Sequence, residues 1–168
     1  MPNSDRQTPR TSPVDLDNAA HVAALLFLLD HYAAGPMGGS QPLTPETRAR
    51  LVPGLRQRKD YCGFLAWQGD EAIGLINCFE GFSTFAAAPL LNVHDLVVLE
   101  SRRGQGVGQL LLDAVEAAAR QRRCCKLTLE VLTANRSAMA LYQRAGFAPY
   151  VLDPAAGQAL LMQKWLGD

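Results

Sequence analysis

The stretch Arg103-Gly104-Gln105-Gly106-Val107-Gly108 lies between an apolar run at 96–99 and a strongly apolar segment at 110–119. This order predicts a strand, a glycine-rich loop and a helix. Glycines let backbone N–H groups turn toward a ligand, and a helix start adds unpaired amides and the positive end of the helix dipole. The stretch therefore predicts a site for phosphate or pyrophosphate, with a plain tight turn as the alternative for so short a motif.

The glycine spacing excludes two common phosphate loops. The dinucleotide fingerprint needs three glycines spaced as Gly-x-Gly-x-x-Gly, and the P-loop ends in Gly-Lys-Ser or Gly-Lys-Thr, whereas no lysine follows Gly108. The loop instead resembles the pyrophosphate loop of the GNAT superfamily of N-acetyltransferases. Its pattern, Arg/Gln-x-x-Gly-x-Gly/Ala, is filled by Arg103, Gly106 and Gly108.

A second motif strengthens this resemblance. After an alternating segment at 126–131, Asn135 is placed to open a helix, Tyr142 lies about two turns further on, and Gly146-Phe147 closes the helix. This order is similar to a second GNAT pattern, and two ordered motifs are more specific than one. The resemblance covers roughly residues 61–165, with a looser match over 8–60.

Periodicity and turn residues predict the remaining elements. Asp17 is the expected N-cap of a helix over 18–33, and Thr44-Pro45 the expected start of a second helix. A hairpin turn is expected at Gly69-Asp70. The other predicted elements are strands at 61–68, 71–79, 91–98, 125–131, 147–152 and 158–165, and helices at 106–122 and 136–145. The segment 80–89 is either a continuation of the hairpin or a loop.

These elements predict a mixed sheet with helices on its faces, an α/β or α+β architecture. The resemblance implies the GNAT fold, in which the sheet is mostly antiparallel and its central strands splay apart to admit the pantetheine arm of acetyl-CoA. Residues 1–9, rich in polar residues and proline, are expected to form a disordered tail. Residues 10–168 are expected to form one domain.

Composition excludes several classes of partner. The 16 basic residues balance the 16 acidic ones, so no net field recruits nucleic acid or a membrane surface. The four cysteines lack the paired spacing of a zinc site, and no metal is expected. No stretch is long and apolar enough to span a bilayer, and the first residues lack a signal peptide core, so a cytoplasmic location is expected. A homodimer is compatible with the resemblance.

The resemblance implies acetyl-CoA as acetyl donor and assigns its binding residues. The strand preceding the loop is implied to pair with pantetheine through its backbone and to donate an N–H to the thioester oxygen. Asn135 is a good N-cap by its chemistry, and the resemblance adds a contact with pantetheine or a water beside it. The implied cofactor-binding residues are Leu96, Val97, Val98, Arg103, Gly104, Gln105, Gly106, Val107, Gly108, Gln109, Asn135 and Tyr142.

Three side chains are candidates for catalysis. An amine of ordinary pKa, about 10.4, must lose a proton before attack, and His94 or Asp95 beside the pantetheine strand is the candidate base or relay, with water as the alternative. Neighbouring strand residues face opposite ways, so only one of them meets the substrate unless a bulge intervenes. The resemblance places the Tyr142 hydroxyl near the CoA sulfur, where it can protonate the leaving thiolate.

The predicted function is transfer of an acetyl group from acetyl-CoA to a primary amine of a small molecule, by direct attack in a ternary complex. Two alternatives stay open: a protein or peptide N-acetyltransferase, and a non-catalytic acyl-CoA-binding regulatory module. The resemblance is loosest at 33–43 and 80–90, where the acceptor is expected to bind. Met37, Phe82 and Phe85 are candidates for an apolar wall there.

Overall fold

The computed structural model of the chain describes residues 7–151, 153, 155, 157 and 159–166. The chain divides into two compact units, Met1–Leu129 and Glu130–Asp168. The first unit contains β1 (Arg10–Pro13), α1 (Ala19–Ala34), α2 (Pro45–Arg56), β2 (Tyr61–Gln68), β3 (Glu71–Ser83), β4 (Ala88–Val98), a 3-10 turn (Glu100–Arg102), α3 (Val107–Gln121) and β5 (Leu127–Leu129). The second unit contains α4 (Arg136–Arg144).

The five strands form one sheet in the order β1-β2-β3-β4-β5. The first three pairings are antiparallel, and β4 pairs with β5 in parallel. The hairpin predicted at Gly69-Asp70 joins β2 to β3, and Gly69 there adopts φ +61°. The segment 80–89 continues the next hairpin, since β3 runs on to Ser83 and β4 begins at Ala88. The predicted mixed, mostly antiparallel sheet flanked by helices is confirmed.

Helices cover both faces of this sheet. Leu65, Leu75 and Val97 pack in one apolar cluster with side chains of α1 and α2. The adjacent Gly74 faces the other side, where a Cβ would meet Leu111 of α3 at 3.1 Å. Neighbouring strand residues point to opposite faces, so α1 and α2 lie on one side and α3 on the other.

The N-cap expected for the first helix is wrong by one residue. Asn18 is the cap, with its side-chain oxygen accepting from Ala20 N at 2.9 Å and His21 N at 3.3 Å. Asp17 belongs to the turn just before the helix, where its N–H donates to Asp15 Oδ1 at 2.9 Å. The second expected cap is confirmed, since Thr44 Oγ1 accepts from Thr47 N at 3.2 Å.

The ends of the chain differ most from the sequence prediction. β1 was not expected, and it joins the sheet beside β2 through backbone pairing. The strands expected at 147–152 and 158–165 are wrong as far as the structure describes them, since residues 147–151 and 159–166 contain no strand. Apolar residues there, including Leu160 and Trp165, are exposed and make no ladder pairing. Residues 152 and 158 lie outside the described part.

The parallel pair of β4 and β5 lies at one edge of the sheet among the described residues. Within the described residues β5 has β4 as its sheet neighbour and is an edge strand. Its ladder covers three residue pairs, Leu91 to Val93 with Leu127 to Leu129, and beyond it β4 runs on to Val98 paired with β3 only. None of the described helices is long and apolar enough to cross a membrane.

Candidate functional site

The glycine loop has an open backbone conformation at the start of α3. Gly104 and Gly106 adopt φ +74° and +81°, a region that favours glycine, and a Cβ at either position would meet nothing within 4 Å. Gly106 is the N-cap of α3 and offers no side chain to its first turn. The loop therefore presents backbone alone to an approaching ligand.

The amides of this loop are available as donors. Leu110 N donates to the Gly106 carbonyl at 3.0 Å, closing the first turn of α3. Among the described residues, no protein acceptor receives the N–H groups of the six preceding residues, Gly104, Gln105, Gly106, Val107, Gly108 and Gln109. Six consecutive donors at the positive end of a helix form a cradle suited to pyrophosphate oxygens.

Side chains around the loop hold it rather than occupy the cradle. Arg103 Nε donates to the Val98 carbonyl at 3.2 Å, and Arg103 also pairs with Glu100 at 3.5 Å. Gln105 Nε2 donates to the Ser101 carbonyl at 3.1 Å. Gln109 Nε2 donates to Asp113 at 2.8 Å, and Val107 is buried against the sheet. The side chains of these predicted cofactor-binding residues therefore hold the loop in place and leave its backbone to form the cradle.

The end of β4 has one free edge. Leu99 N donates to the Ile73 carbonyl of β3, so the alternation of an antiparallel ladder directs the peptide groups of Leu96 and Val98 away from β3. The β5 ladder ends at Val93, so these groups have no strand partner among the described residues. Val97 instead pairs with Leu75 and packs its side chain in the core.

The bulge on which the roles of His94 and Asp95 depend is present. Asn77 pairs with Asp95 and Cys78 with Val93, which leaves His94 as the extra residue of β4. The exposed His94 ring lies edge-on to Phe79, with ring centroids 5.6 Å apart. Asp95 bonds to Asn77, which shares a sheet face with Phe79. Both side chains therefore lie on the α1 and α2 side of the sheet.

A hydrogen-bonded chain behind Asp95 was not predicted from the sequence. Tyr61 Oη donates to Asn77 Oδ1 at 2.9 Å, and Asn77 Nδ2 donates to Asp95 Oδ2 at 3.0 Å. Burial is the main cause that raises the pKa of Tyr61, so the phenol keeps its proton. The signal available in the sequence was Asn77 itself, a polar residue inside the apolar run of β3.

The second unit contains the other two predicted site residues. Asn135 caps α4, with Oδ1 accepting from Ala138 N at 3.2 Å, which confirms its predicted capping role. Tyr142 is buried on α4 and contacts the Phe147 ring edge-on, with centroids 5.8 Å apart. Their contacts with acetyl-CoA stay predictions.

The cysteines are poorly suited to nucleophilic chemistry. All four are free thiols. Burial is the first cause that raises the pKa of Cys62, Cys78 and Cys124, which favours the protonated and less nucleophilic form. Among the described residues, no group of three or more His, Cys, Asp or Glu side chains is arranged to hold a metal ion.

Comparison with known sequences identifies the family. The model of the acetyltransferase (GNAT) family matches residues 27–147, which include the β4 edge, the bulge, the glycine loop and α4. The chain belongs to this family, whose acetyl donor is acetyl-CoA.

Particular relatives differ in their acceptors. The chain is 38% identical over 68 residues to streptothricin acetyltransferase of Streptomyces lavendulae, covering 40% of this chain and 36% of that protein. It is 34% identical over 86 residues to the N-alpha-acetyltransferase MAK3 of Arabidopsis thaliana, covering 50% and 43%. It thus spans less than half the length of these curated relatives.

A solved structure supports the fold over nearly the whole chain. The crystal structure of a probable acetyltransferase superposes with a TM-score of 0.77 at 20% identity, covering 93% of this chain and 99% of that one. At this identity the likeness concerns the fold.

Proposed function

We propose that this protein transfers an acetyl group from acetyl-CoA to a primary amine of a small molecule, by direct attack in a ternary complex. The observation that carries the proposal is the backbone of residues 96–109. It offers an edge without a strand partner at Leu96 and Val98, where the Val98 carbonyl accepts from Arg103 Nε, followed by the open cradle of the glycine loop.

This backbone suits two parts of acetyl-CoA, the pyrophosphate and the pantetheine arm with its thioester. The amides of 104–109 bind the pyrophosphate, and the peptide groups of Leu96 and Val98 bind the pantetheine amides. An N–H of the β4 edge donates to the thioester oxygen, where charge develops during attack. Removing one such donor costs roughly 2.7–4 kcal/mol in well-studied acyl transfer.

The bulge supplies the acceptor side of the reaction. Asp95 holds the ammonium group of the acceptor, and His94 accepts its proton, directly or through water, to give the neutral amine that attacks. Their location on one face supports a shared role, because an unbulged strand would separate them. The amine nitrogen then forms a bond with the acetyl carbon, and the carbon–sulfur bond breaks. The Tyr142 hydroxyl gives its proton to the CoA thiolate, and the second proton that the nitrogen loses replaces it, so CoA leaves as the thiol.

Direct attack is favoured over a cysteine relay. The raised pKa values of the buried thiols oppose formation of a thiolate nucleophile. None of the hydrogen bonds formed by the described residues links a cysteine to a histidine.

A small acceptor is supported by the relative that acts on streptothricin, which has the higher identity of the two curated matches. The second candidate, acetylation of a peptide N-terminus, is supported by the match to the N-alpha-acetyltransferase, which covers more of this chain. A non-catalytic acyl-CoA-binding module is the third, since the backbone cradle alone binds CoA.

The test is release of free CoA thiol with acetyl-CoA and each of two amines, streptothricin and a tetrapeptide with a free N-terminus. We expect release with streptothricin and acetylation of its amino group by mass spectrometry. Release with the tetrapeptide alone would establish the second candidate. Binding of acetyl-CoA without turnover of either amine would favour the module.

Replacement of Tyr142 by phenylalanine tests the proposed proton donor. We expect turnover to fall about tenfold, less than the roughly 10²–10⁴-fold typical of general acid catalysis, because a thiol of pKa about 8.5 also leaves as the thiolate. The ring contact with Phe147 is kept. Acetyl-CoA affinity, measured by calorimetry, should stay the same. The matched control is Tyr150→Phe, an exposed tyrosine of the same unit. Equal turnover by Tyr142→Phe and the parent would reduce Tyr142 to a packing residue.

A further inference from the structure

We propose that Asn77 and Tyr61 are positioning residues that hold the Asp95 carboxylate toward the ammonium group of the acceptor. The proposal rests on the proposed function and adds how the Asp95 carboxylate, which binds the acceptor amine, is held in position. It is based on the hydrogen-bonded chain from Tyr61 through Asn77 to Asp95.

The chemistry of the three groups gives this chain one direction. An ionised carboxylate only accepts hydrogen bonds, so Asn77 must turn its NH₂ group toward Asp95. Its carbonyl oxygen then faces Tyr61, whose hydroxyl must donate. The phenol therefore fixes the amide, and the amide fixes one oxygen of the carboxylate.

Burial makes this arrangement costly unless each bond is formed. Asn77 is 3% exposed and is the one buried polar residue among those the structure describes. An amide buried without partners is destabilising by roughly 1–3 kcal/mol, so apolar residues would serve this strand better if packing were the sole requirement. The side chain bonds on one side to a phenol and on the other to a carboxylate at the bulge.

The carboxylate keeps a free oxygen for a ligand. Asp95 Oδ2 accepts from Asn77, whereas Oδ1 accepts no hydrogen bond from the described residues. The charge of Asp95 raises the pKa of Tyr32 on α1 and of Tyr61 on β2, although burial is the larger cause for each. The bulge thus presents a carboxylate that is held through one oxygen and keeps the other unused, a setting suited to a primary ammonium group.

The test is a double-mutant cycle between Asn77→Leu and Asp95→Asn. Leucine keeps the approximate size of asparagine and removes its hydrogen bonds. We expect Asn77→Leu to lower kcat/KM for the amine about tenfold or more in the parent, as for loss of a hydrogen bond to a charged group. In the Asp95→Asn background we expect less than about a threefold effect, because coupled residues are not additive. The acceptor in this assay is whichever of the two amines, streptothricin or the tetrapeptide, the parent acetylates.

Tyr61→Phe provides a second variant that keeps the ring beside Phe79, at 5.7 Å between centroids, if Asn77→Leu does not fold. The same cycle with Asp95→Asn applies, with an expected loss of about threefold in the parent alone. Acetyl-CoA affinity should be equal in all variants.

Two results would overturn the proposal in distinguishable ways. Equal losses in both backgrounds would show that Asn77 and Tyr61 act independently of Asp95, while the proposed function stands. Unchanged amine kinetics in Asp95→Asn itself would remove Asp95 from the acceptor site and contradict that part of the proposed function as well.

Discussion

Replacement of Gly106 by valine is expected to weaken acetyl-CoA binding by at least about 100-fold. Gly106 adopts φ +81°, where a β-branched residue is strongly disfavoured. No neighbouring atom lies within 4 Å of the added Cβ, so the substitution acts through the backbone rather than through a clash. The loop must change φ, and its amides then turn away from the pyrophosphate. Loss of two hydrogen bonds to a charged group, about 1.5–3 kcal/mol each, gives this magnitude.

Calorimetry with acetyl-CoA on folded protein measures the effect. The matched control is Gly69→Val in the β2–β3 turn, where φ is +61° and the same backbone penalty applies far along the chain from the loop. We expect the control to lose stability and keep its affinity. Undiminished binding by Gly106→Val would contradict the assignment of the pyrophosphate to this loop.

The donor side of the site was predictable from the sequence because its determinants are local. A helix N-terminus after two glycines needs only neighbouring residues, and α3 begins at Val107, one residue from the predicted start. The capping role of Asn135 is equally local. Gly104 and Gly106 have the positive φ values that their residue type favours.

The acceptor side depends on pairing between distant segments. The bulge at His94 arises from the register of β4 against β3. From the sequence we could say what a bulge would change, but not whether it forms. The chain of Tyr61, Asn77 and Asp95 joins residues up to 34 positions apart on three strands, a separation that periodicity does not reveal. Asn77, a polar residue within an apolar strand, was visible in the sequence, but its hydrogen-bond partners Tyr61 and Asp95 were not.

The errors at the chain ends have a related cause. Arg10-Thr11-Ser12-Pro13 contains no apolar alternation, yet its backbone pairs with β2, and such pairing is nearly independent of side chains. Residues 159–166 are rich in leucine and aromatic character, but alternation predicts a strand only where a neighbouring strand accepts it. Strand prediction from sequence therefore fails where the presence of a neighbouring strand decides whether a segment joins the sheet.

Replacement of His94 by glutamine is expected to lower kcat/KM for the amine by about 100-fold, at the lower end of general base catalysis. Glutamine keeps a polar side chain at the bulge but cannot take up a proton near neutral pH. A base acts by taking up the proton of the acceptor, so the loss should appear in the reaction with the amine. The acetyl-CoA affinity of the variant should be unchanged.

The comparison is kcat/KM for the parent, His94→Gln and the matched control His31→Gln, whose histidine stacks on Phe27 of α1 with centroids 6.4 Å apart. We expect the control to follow the parent. The bulge gives His94 a reason for this role, because it exposes the ring on the face where Asp95 lies. If His94→Gln keeps the rate of the parent, the amine loses its proton to solvent or a water chain, and His94 serves to shape the acceptor site beside Phe79.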